Sequence, residues 1–150
     1  MTNKQIASLF RELADIMEIA GENQFKIRAY RKSAEIIPSL SEEISSMPRE
    51  RLREIPGIGK AIAEKIEAAG KDDTFPTLEK WRQTRYAEFL PLLEIPGLKP
   101  RKIQGMIRDL GVSSIDDLRS AVRDGRLDGY KKVENEIKRK LCEFVNKNGS

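Results

Sequence analysis

Histidine is absent from this chain of 150 residues, and cysteine and tryptophan each occur only once. The absence of histidine excludes His-based acid–base catalysis and His-containing zinc sites. The single Cys142 excludes an internal disulfide and favours a reducing compartment, and its apolar neighbours predict a packed core thiol. No apolar run approaches membrane-spanning length, and the N-terminus lacks a signal-peptide pattern. We therefore expect a soluble, intracellular protein.

What the chain does contain is charge. Charged residues make up 35% of the sequence, apolar residues 39%, and the net charge is +4. Residues 1–70 have as many acidic as basic side chains, so the excess lies in residues 71–150. This mild basic balance suits a partner that carries phosphates better than an acidic protein surface.

Apolar residues recur at helical spacing along the whole chain, and no strand pattern persists. The fold class should be all-α, with two small helical subdomains at residues 1–71 and 72–150. Glycine, proline and capping residues set the expected boundaries. The predicted helices are Lys4–Ala20, Asn23–Ile37, Lys60–Ala69, Leu78–Leu90, Pro100–Leu110, Ser114–Arg123 and Lys131–Val145, with short helices opening at Pro48 and between Pro91 and Pro96. Residues 70–74 are the predicted linker.

A short motif occurs twice. Leu52-Arg53-Glu54-Ile55-Pro56-Gly57-Ile58-Gly59-Lys60 returns as Leu92-Leu93-Glu94-Ile95-Pro96-Gly97-Leu98-Lys99-Pro100. Each copy lies between two predicted helices, which is the pattern of a helix-hairpin-helix. The glycine permits a sharp reversal and close approach to the backbone, and the next helix starts with unpaired N–H groups that attract a phosphate. A Pro-Gly turn also simply separates helices, but the repetition favours phosphate binding and therefore DNA.

Basic side chains accompany these motifs. Lys60 and Lys102 lie in the first turns of the helices after the two turns. A second cluster, Lys26-Ile27-Arg28-Ala29-Tyr30-Arg31-Lys32, contains four cations and no acid, and Lys26 and Tyr30 share a helix face. This face could hold a phosphate, or it could be an ordinary solvated surface with Tyr30 packed on the core.

Lys65 is the one candidate nucleophile. It lies among small and apolar residues on the helix after the first turn, close in sequence to other cations. Such surroundings can depress the pKa of a lysine, which a Schiff-base nucleophile requires. Its spacing also fits an ordinary surface lysine.

These residues together resemble the family X DNA polymerases. Arg28-Ala29-Tyr30-Arg31-Lys32, Ile55-Pro56-Gly57-Ile58-Gly59 and Ile62-Ala63-Glu64-Lys65-Ile66 are similar to the N-terminal 8-kDa domain of that family. Residues 92–118 resemble its second hairpin. The resemblance implies binding at the 5′-phosphate side of a DNA gap and, in several members, removal of a 5′-deoxyribose phosphate through a lysine that matches Lys65.

The resemblance also assigns residues. Lys26, Tyr30 and Arg53 match 5′-phosphate contacts, and main-chain carbonyls match ligands of a monovalent cation, K⁺ or Na⁺. The predicted cation ligands are the carbonyls of Arg53, Ile55, Ile58, Leu93, Ile95 and Leu98. The predicted DNA-binding residues are Lys26, Tyr30, Arg31, Lys32, Arg53, Gly57, Gly59, Lys60, Gly97, Lys99, Arg101 and Lys102. No organic cofactor is expected.

The chain departs from the family in three places. Ala61 replaces a second lysine, Phe25 replaces a pocket histidine, and Lys99 replaces the second glycine of hairpin two. Nothing resembles the polymerase palm, and no carboxylate pattern suits two-metal nucleotidyl transfer. The chain by itself is therefore not expected to be a polymerase; it is a stand-alone module or the front part of a longer protein.

Three functions remain open. The first is a non-sequence-specific DNA-binding protein for gapped, nicked or 5′-phosphorylated DNA in repair. The second is a 5′-deoxyribose-phosphate lyase that uses Lys65. The third is an adaptor that binds a repair or polymerase protein. The expected location is the cytoplasm of a prokaryote, at the nucleoid, or the nucleus of a eukaryote.

Overall fold

The protein is all-α, as its sequence predicts. A computed structural model describes residues 1–147, and among these no strand occurs and no helix is both long and apolar enough to cross a membrane. The α-helices are α1 (Asn3–Ile19), α2 (Gln24–Ile36), α3 (Arg49–Leu52), α4 (Lys60–Asp72), α5 (Pro76–Arg82), α6 (Pro100–Leu110), α7 (Ile115–Arg123) and α8 (Asn135–Lys147). Two 3₁₀ helices, Ile37–Ser39 and Arg85–Glu94, join them.

The chain forms two compact units. The first unit comprises Met1–Met17 and Glu22–Gln83, and the second comprises Glu18–Gly21 and the residues from Thr84 onward. The boundary between the units therefore lies after α5, between Gln83 and Thr84, whereas the sequence predicts a boundary after residue 71. The assignment of these parts as separate domains stays a prediction.

The first unit is built around one face of α1. Ile6, Phe10 and Leu13 recur at helical spacing and are fully buried. The ring of Phe10 lies 5.2 Å from that of Phe75 and 6.1 Å from that of Tyr30, measured between centroids. The core therefore fixes the inner side of α2, on which Tyr30 lies.

The second unit has its own apolar core. Buried side chains from all of its helices meet there, with Ile19 contributed by the end of α1. The core residues are Ile19, Phe89, Leu92, Ile95, Leu98, Ile103, Met106, Leu118, Leu127, Val133, Ile137, Leu141 and Val145. Cys142 packs against this cluster and is half-buried, and burial raises the pKa of its thiol.

At the starts of α2 and α7, the structure confirms the capping residues that the sequence predicts. The Asn23 side chain accepts hydrogen bonds from the N–H groups of Phe25 and Lys26, and Ser114 Oγ accepts one from Asp117 N–H. Gly111 ends α6 with φ +66°, a conformation that favours glycine.

The predicted linker at residues 70–74 is wrong in its first three residues, because α4 continues through Gly70 to Asp72. A Cβ on Gly70 would lie 2.0 Å from the carbonyl oxygen of Ser45. Gly70 is therefore a packing residue that lets α4 pass close to another backbone segment. The sequence cannot distinguish this role from a helix stop, because both require the smallest side chain.

Three other predicted helices are also corrected. The continuous helix Leu78–Leu90 is broken after Arg82, and Pro91 lies inside the 3₁₀ helix Arg85–Glu94 rather than opening a helix. Pro91 has no N–H to donate, so one helical hydrogen bond is missing at this position. The last helix starts at Asn135, not at residue 131.

Candidate nucleic-acid interface

The two copies of the repeated motif have the same backbone geometry. In the first, Ile55 N–H donates to the Leu52 carbonyl and Ile58 N–H donates to the Ile55 carbonyl, both at 3.0–3.1 Å. In the second, the bonds Ile95 to Leu92 and Leu98 to Ile95 repeat this pattern at 3.1 Å. The repeat in sequence is therefore a repeat in structure, once in each unit.

Glycine is required at both turns. Gly57 has φ +93° and Gly97 has φ +86°, in the region where a Cβ is strained. A Cβ on Gly57 would lie 2.5 Å from Ile36 Cδ1, and one on Gly97 would lie 3.1 Å from Ile137 Cδ1. In each unit an isoleucine therefore supports the inner side of the turn, while Gly57 and Gly97 themselves are exposed.

The helix that follows each turn starts without a capping side chain. Gly59 and Lys99 are the N-cap residues of α4 and α6, and at neither position does a side chain accept a hydrogen bond from the first N–H groups of the helix. The first N–H groups of each helix, with the positive end of the helix dipole, can therefore bind an anion. The two sites differ, because Pro100 at the start of α6 has no N–H whereas Lys60 at the start of α4 has one.

Lys99 takes the place of a glycine without strain. Its φ is −94°, close to the −89° of Gly59, so this position needs no glycine for its conformation. A Cβ at Gly59 would meet no atom within 4 Å. Lys99 therefore places a cation in the second turn at the position that corresponds to Gly59 in the first turn, where no side chain covers the backbone.

The predicted cations at the turns differ in their surroundings. Arg53, Lys60, Lys99 and Arg101 are exposed and form no ion pair with the part of the chain that the structure describes. Lys102 is different, because its Nζ donates to both carboxylate oxygens of Glu134 at 2.6 and 2.8 Å. An exposed ion pair is worth little, so a phosphate can compete with Glu134 for Lys102.

The structure brings Lys26, Tyr30 and Lys65 together. Lys65 Nζ lies over the Tyr30 ring, 5.6 Å from its centroid, which is within the range of a cation–π contact. Burial lowers the pKa of Lys65; the charge of Glu64 raises it, and that of Lys26 lowers it further. Burial also raises the pKa of the Tyr30 hydroxyl.

Lys26 and Tyr30 also line a cavity of about 460 Å³ in the first unit. Sequence reasoning missed the residues that α5 adds to it, among them Lys80 and Trp81. The signal in the sequence is that Lys80 and Trp81 are adjacent, in a predicted helix that belongs to the predicted second subdomain, residues 72–150. The full lining is Met17, Glu22, Lys26, Tyr30, Pro76, Thr77, Lys80 and Trp81.

Other residues of the basic cluster on α2 do not join this cavity. Arg31 Nη1 donates to Asp15 Oδ1 at 3.0 Å, so its charge is partly neutralised, while Lys32 is exposed. Phe25 is 80% exposed, and the Arg28 guanidinium lies over its ring at 5.9 Å from the centroid. The DNA-binding roles predicted for Arg31 and Lys32 stay predictions.

The candidate cation sites consist of turn carbonyls. The Ile55 and Ile95 carbonyls each accept one hydrogen bond from within the turn, and a carbonyl oxygen has a second lone pair for a cation. These are hard oxygen ligands, as K⁺ or Na⁺ would need. The assignment of a cation to these two carbonyls, and to those of Arg53, Ile58, Leu93 and Leu98, stays a prediction.

The second unit contains a basic cleft of about 510 Å³ beside the start of α6. It gathers three predicted residues, Lys99, Arg101 and Lys102, with five others. Sequence reasoning missed Arg108, Tyr130 and Lys132, although the run Tyr130-Lys131-Lys132 combines an aromatic residue with cations. The remaining lining residues are Gln104 and Gly105.

Comparison with known proteins identifies the first unit. Residues 1–74 match the family described as "Helix-hairpin-helix domain". The DNA polymerase/3'-5' exonuclease PolX of Bacillus subtilis (strain 168) is 31% identical to the chain in an alignment of 147 residues that covers 95% of the chain. The chain spans 25% of the length of that relative. These findings confirm the resemblance to family X polymerases.

Proposed function

Since residues 1–74 are a helix-hairpin-helix domain, we propose that this chain binds DNA without reading its sequence and prefers gaps, nicks and ends that carry a 5′-phosphate. The observation that carries the proposal is the pair of matching turns at Gly57 and Gly97, each followed by an uncapped helix start. Backbone N–H groups at such sites contact phosphates, which are the same for every sequence.

The preference for a 5′-phosphate rests on the cluster of Lys26, Tyr30 and Lys65. Two ammonium groups beside a phenol suit a terminal phosphate, whose charge exceeds that of an internal phosphodiester. The adjacent cavity, to which Lys80 contributes a further cation, provides room for the terminal nucleotide. Repair of gapped DNA is the process that such a preference would serve.

Titration of labelled DNA by fluorescence anisotropy tests this function. The substrates are a gapped duplex with a 5′-phosphate, the same duplex with a 5′-hydroxyl, and an intact duplex. We expect the phosphorylated gap to bind most tightly and Lys26→Gln to remove its advantage over the hydroxyl form. Lys4→Gln, at an exposed position of α1, is the matched control and should bind like the parent chain.

Two outcomes would contradict the proposal. Equal affinity for the three duplexes would remove the preference for gaps and ends. No binding to any of them at low salt would remove DNA binding itself and would favour the adaptor function, with a repair or polymerase protein as partner.

A second candidate function, a 5′-deoxyribose-phosphate lyase, is favoured by the surroundings of Lys65. Its lowered pKa increases the fraction of neutral amine near neutral pH, and only the neutral amine attacks an aldehyde. The neighbouring Lys26 would hold the substrate phosphate while keeping Lys65 less basic. Ala61 leaves this site without the second lysine that the resemblance leads one to expect.

The proposed reaction is a β-elimination. The neutral amine of Lys65 forms a bond to C1′ of the open sugar, and the C1′ oxygen leaves as water after the uptake of one proton from solvent, which gives a protonated imine. The imine withdraws electrons, so a C2′ proton passes to solvent and the C3′–O3′ bond breaks, releasing the 5′-phosphorylated DNA. Hydrolysis of the imine then returns the free lysine.

Borohydride trapping tests this candidate directly, because it reduces the imine to a stable covalent adduct. The parent chain and the control Lys71→Ala, on the same helix, should form the adduct with DNA that carries a 5′-deoxyribose phosphate. Lys65→Ala should not. Absence of the adduct in the parent chain would remove the lyase function and leave DNA binding intact.

A further inference from the structure

The basic cleft of the second unit has features that the two hairpin turns do not explain. Its lining combines lysine and arginine residues with the aromatic Tyr130, and its volume of about 510 Å³ lies within the range of small-ligand pockets. Its walls come from α6 and from the segment that precedes α8. The lining residues of this cleft indicate which ligand it could bind.

Positive charge dominates the cleft. Its lining includes Lys99, Arg101, Lys102, Arg108 and Lys132. Two carboxylates face these cations, Asp109 and Glu134, so an excess of three positive charges remains. An anion, and in particular a chain of phosphates, is the partner that such a charge distribution attracts.

Asp109 organises one wall of the cleft. Its carboxylate accepts hydrogen bonds from Tyr130 Oη at 2.7 Å, from Lys132 Nζ at 3.1 Å and from Arg108 Nε at 3.1 Å. These donors hold the pKa of Asp109 well below its usual range, so the carboxylate remains ionised and keeps the three donors in place. Two cations and an aromatic ring are thus presented side by side.

The Tyr130 ring is positioned from two directions. Its hydroxyl is fixed by Asp109, and burial followed by this hydrogen bond raises the pKa of Tyr130 to about 12. A Cβ on Gly105 would lie 3.3 Å from the Tyr130 hydroxyl, so the small residue on α6 makes room for the ring. Tyr130 packs with part of its surface against the apolar core of the second unit, and the residue as a whole is half-buried beside the cleft.

We propose that this cleft binds an unpaired stretch of DNA, with phosphates on Lys99, Arg101 and Lys132 and one base stacked on Tyr130. The aromatic ring among the cations favours single-stranded DNA over duplex DNA as the ligand. An unpaired base offers a free face for stacking, whereas in a duplex both faces are covered by neighbouring base pairs. The proposal rests on the proposed DNA-binding function and adds the unpaired strand within a gap as a second contact.

The test compares three DNA ligands on the full chain. They are a labelled oligodeoxythymidylate, a gapped duplex with a gap of one nucleotide, and a gapped duplex with a gap of ten; both duplexes carry a 5′-phosphate. The cleft variants are Tyr130→Ala, Tyr130→Phe and Lys132→Gln. Lys131→Gln is the matched control, since Lys131 is exposed beside the cleft and does not line it.

We expect Tyr130→Ala to weaken oligodeoxythymidylate binding by about 5-fold to 100-fold, the range for loss of a base–aromatic stack. Tyr130→Phe keeps the ring and should lose much less. Lys132→Gln should lower the affinity and make it less sensitive to salt, while Lys131→Gln binds like the parent chain. Tyr130→Ala and Lys132→Gln should also reduce the advantage of the long gap over the short gap, whereas Tyr130→Phe should largely keep it.

A direct readout accompanies the affinities. Photocrosslinking of the parent chain to an oligonucleotide that contains 5-iododeoxyuridine should give an adduct that maps to Tyr130. Lys132→Gln removes one donor to Asp109 and keeps the Tyr130 ring, so it tests the cation separately from the ring.

The proposal fails if Tyr130→Ala and Lys132→Gln bind oligodeoxythymidylate and the long gap like the parent chain, or if the crosslink maps outside the cleft. In that case retained binding to the short gap would leave the proposed DNA-binding function standing. Loss of binding to all three DNAs in the parent chain would instead overturn both.

Discussion

The ammonium group of Lys65 lies over the face of the Tyr30 ring, with its nitrogen 5.6 Å from the ring centroid. The contact joins α4, which follows the first hairpin turn, to the basic face of α2. A cation–π contact favours the charged lysine, yet burial and Lys26 lower its pKa. The proposed phosphate contact at Lys26 and the proposed lyase reaction at Lys65 both rest on this arrangement of a half-buried amine beside a second cation.

The Lys65 pKa gives the first prediction. After reductive methylation with ¹³C-formaldehyde, the NMR signal of Lys65 should titrate below those of the other lysines. Lys26→Gln should shift this titration upward, towards the ordinary value of 10.5, because a repelling charge is removed. Lys4→Gln should leave it unchanged. A Lys65 signal that titrates with the bulk of the lysines would contradict the lowered pKa.

The first hairpin turn gives the second prediction. Gly57→Ala should lower the free energy of unfolding by roughly 1–3 kcal/mol, because it adds a Cβ at φ +93° and against Ile36 Cδ1. Urea unfolding followed by circular dichroism measures the change. Gly59→Ala is the matched control within the same turn, since its φ is negative and its Cβ would meet no atom within 4 Å. Equal stability of the two variants would show that the turn is not held as described.

The salt dependence of DNA binding gives the third prediction. The logarithm of the association constant should fall linearly with the logarithm of salt concentration, as counterions leave the DNA. Lys60→Gln should reduce the magnitude of this slope by about 1, the value for loss of one phosphate contact. Arg139→Gln should not change it, because Arg139 lies on α8 and lines neither the cavity beside Tyr30 nor the basic cleft. An unchanged slope for Lys60→Gln would exclude Lys60 as a phosphate contact.

Asp109 gives the fourth prediction, which concerns stability in acid. Its folded-state pKa is lowered first by the Tyr130 hydroxyl and then by Arg108 and Lys132. A lowered pKa means that its contribution to stability is complete above the ordinary value of 3.8 and is lost as the pH falls towards the folded-state pKa. Unfolding by urea should therefore show a smaller loss of stability below pH 3.8 for Asp109→Asn than for the parent chain. Parallel pH profiles for the two proteins would contradict this role.

Some parts of the fold could be predicted from residue identity. Asn23, Ser114 and Gly111 act locally, by capping or by a left-handed backbone, and the structure places each at the helix end that the sequence indicates. Gly70 and Pro91 could not be interpreted in this way. The role of Gly70 depends on the distant carbonyl of Ser45, and Pro91 lies in a 3₁₀ helix that spacing for an α-helix does not predict.

The same division holds for the candidate site. The two turns were visible because a sharp reversal needs glycine in a fixed context, and that context occurs twice. The cavity beside Tyr30 and the cleft beside Tyr130 were not visible in full, because Lys80 and Lys132 join them from segments far along the chain. The ion pairs of Arg31 and Lys102 were equally hidden, since their partners are remote in sequence.

By itself, the sequence determined the all-α fold class, the two hairpin turns and the excess of positive charge, because helical periodicity, glycine and net charge are properties of neighbouring residues or of composition. Only the tertiary structure decided which cations stay unpaired, why Lys65 becomes less basic and which aromatic ring lies in a basic cleft. Those properties depend on burial and on distances between residues that are remote in sequence. Tertiary packing sets both, and neither can be read from the order of residues.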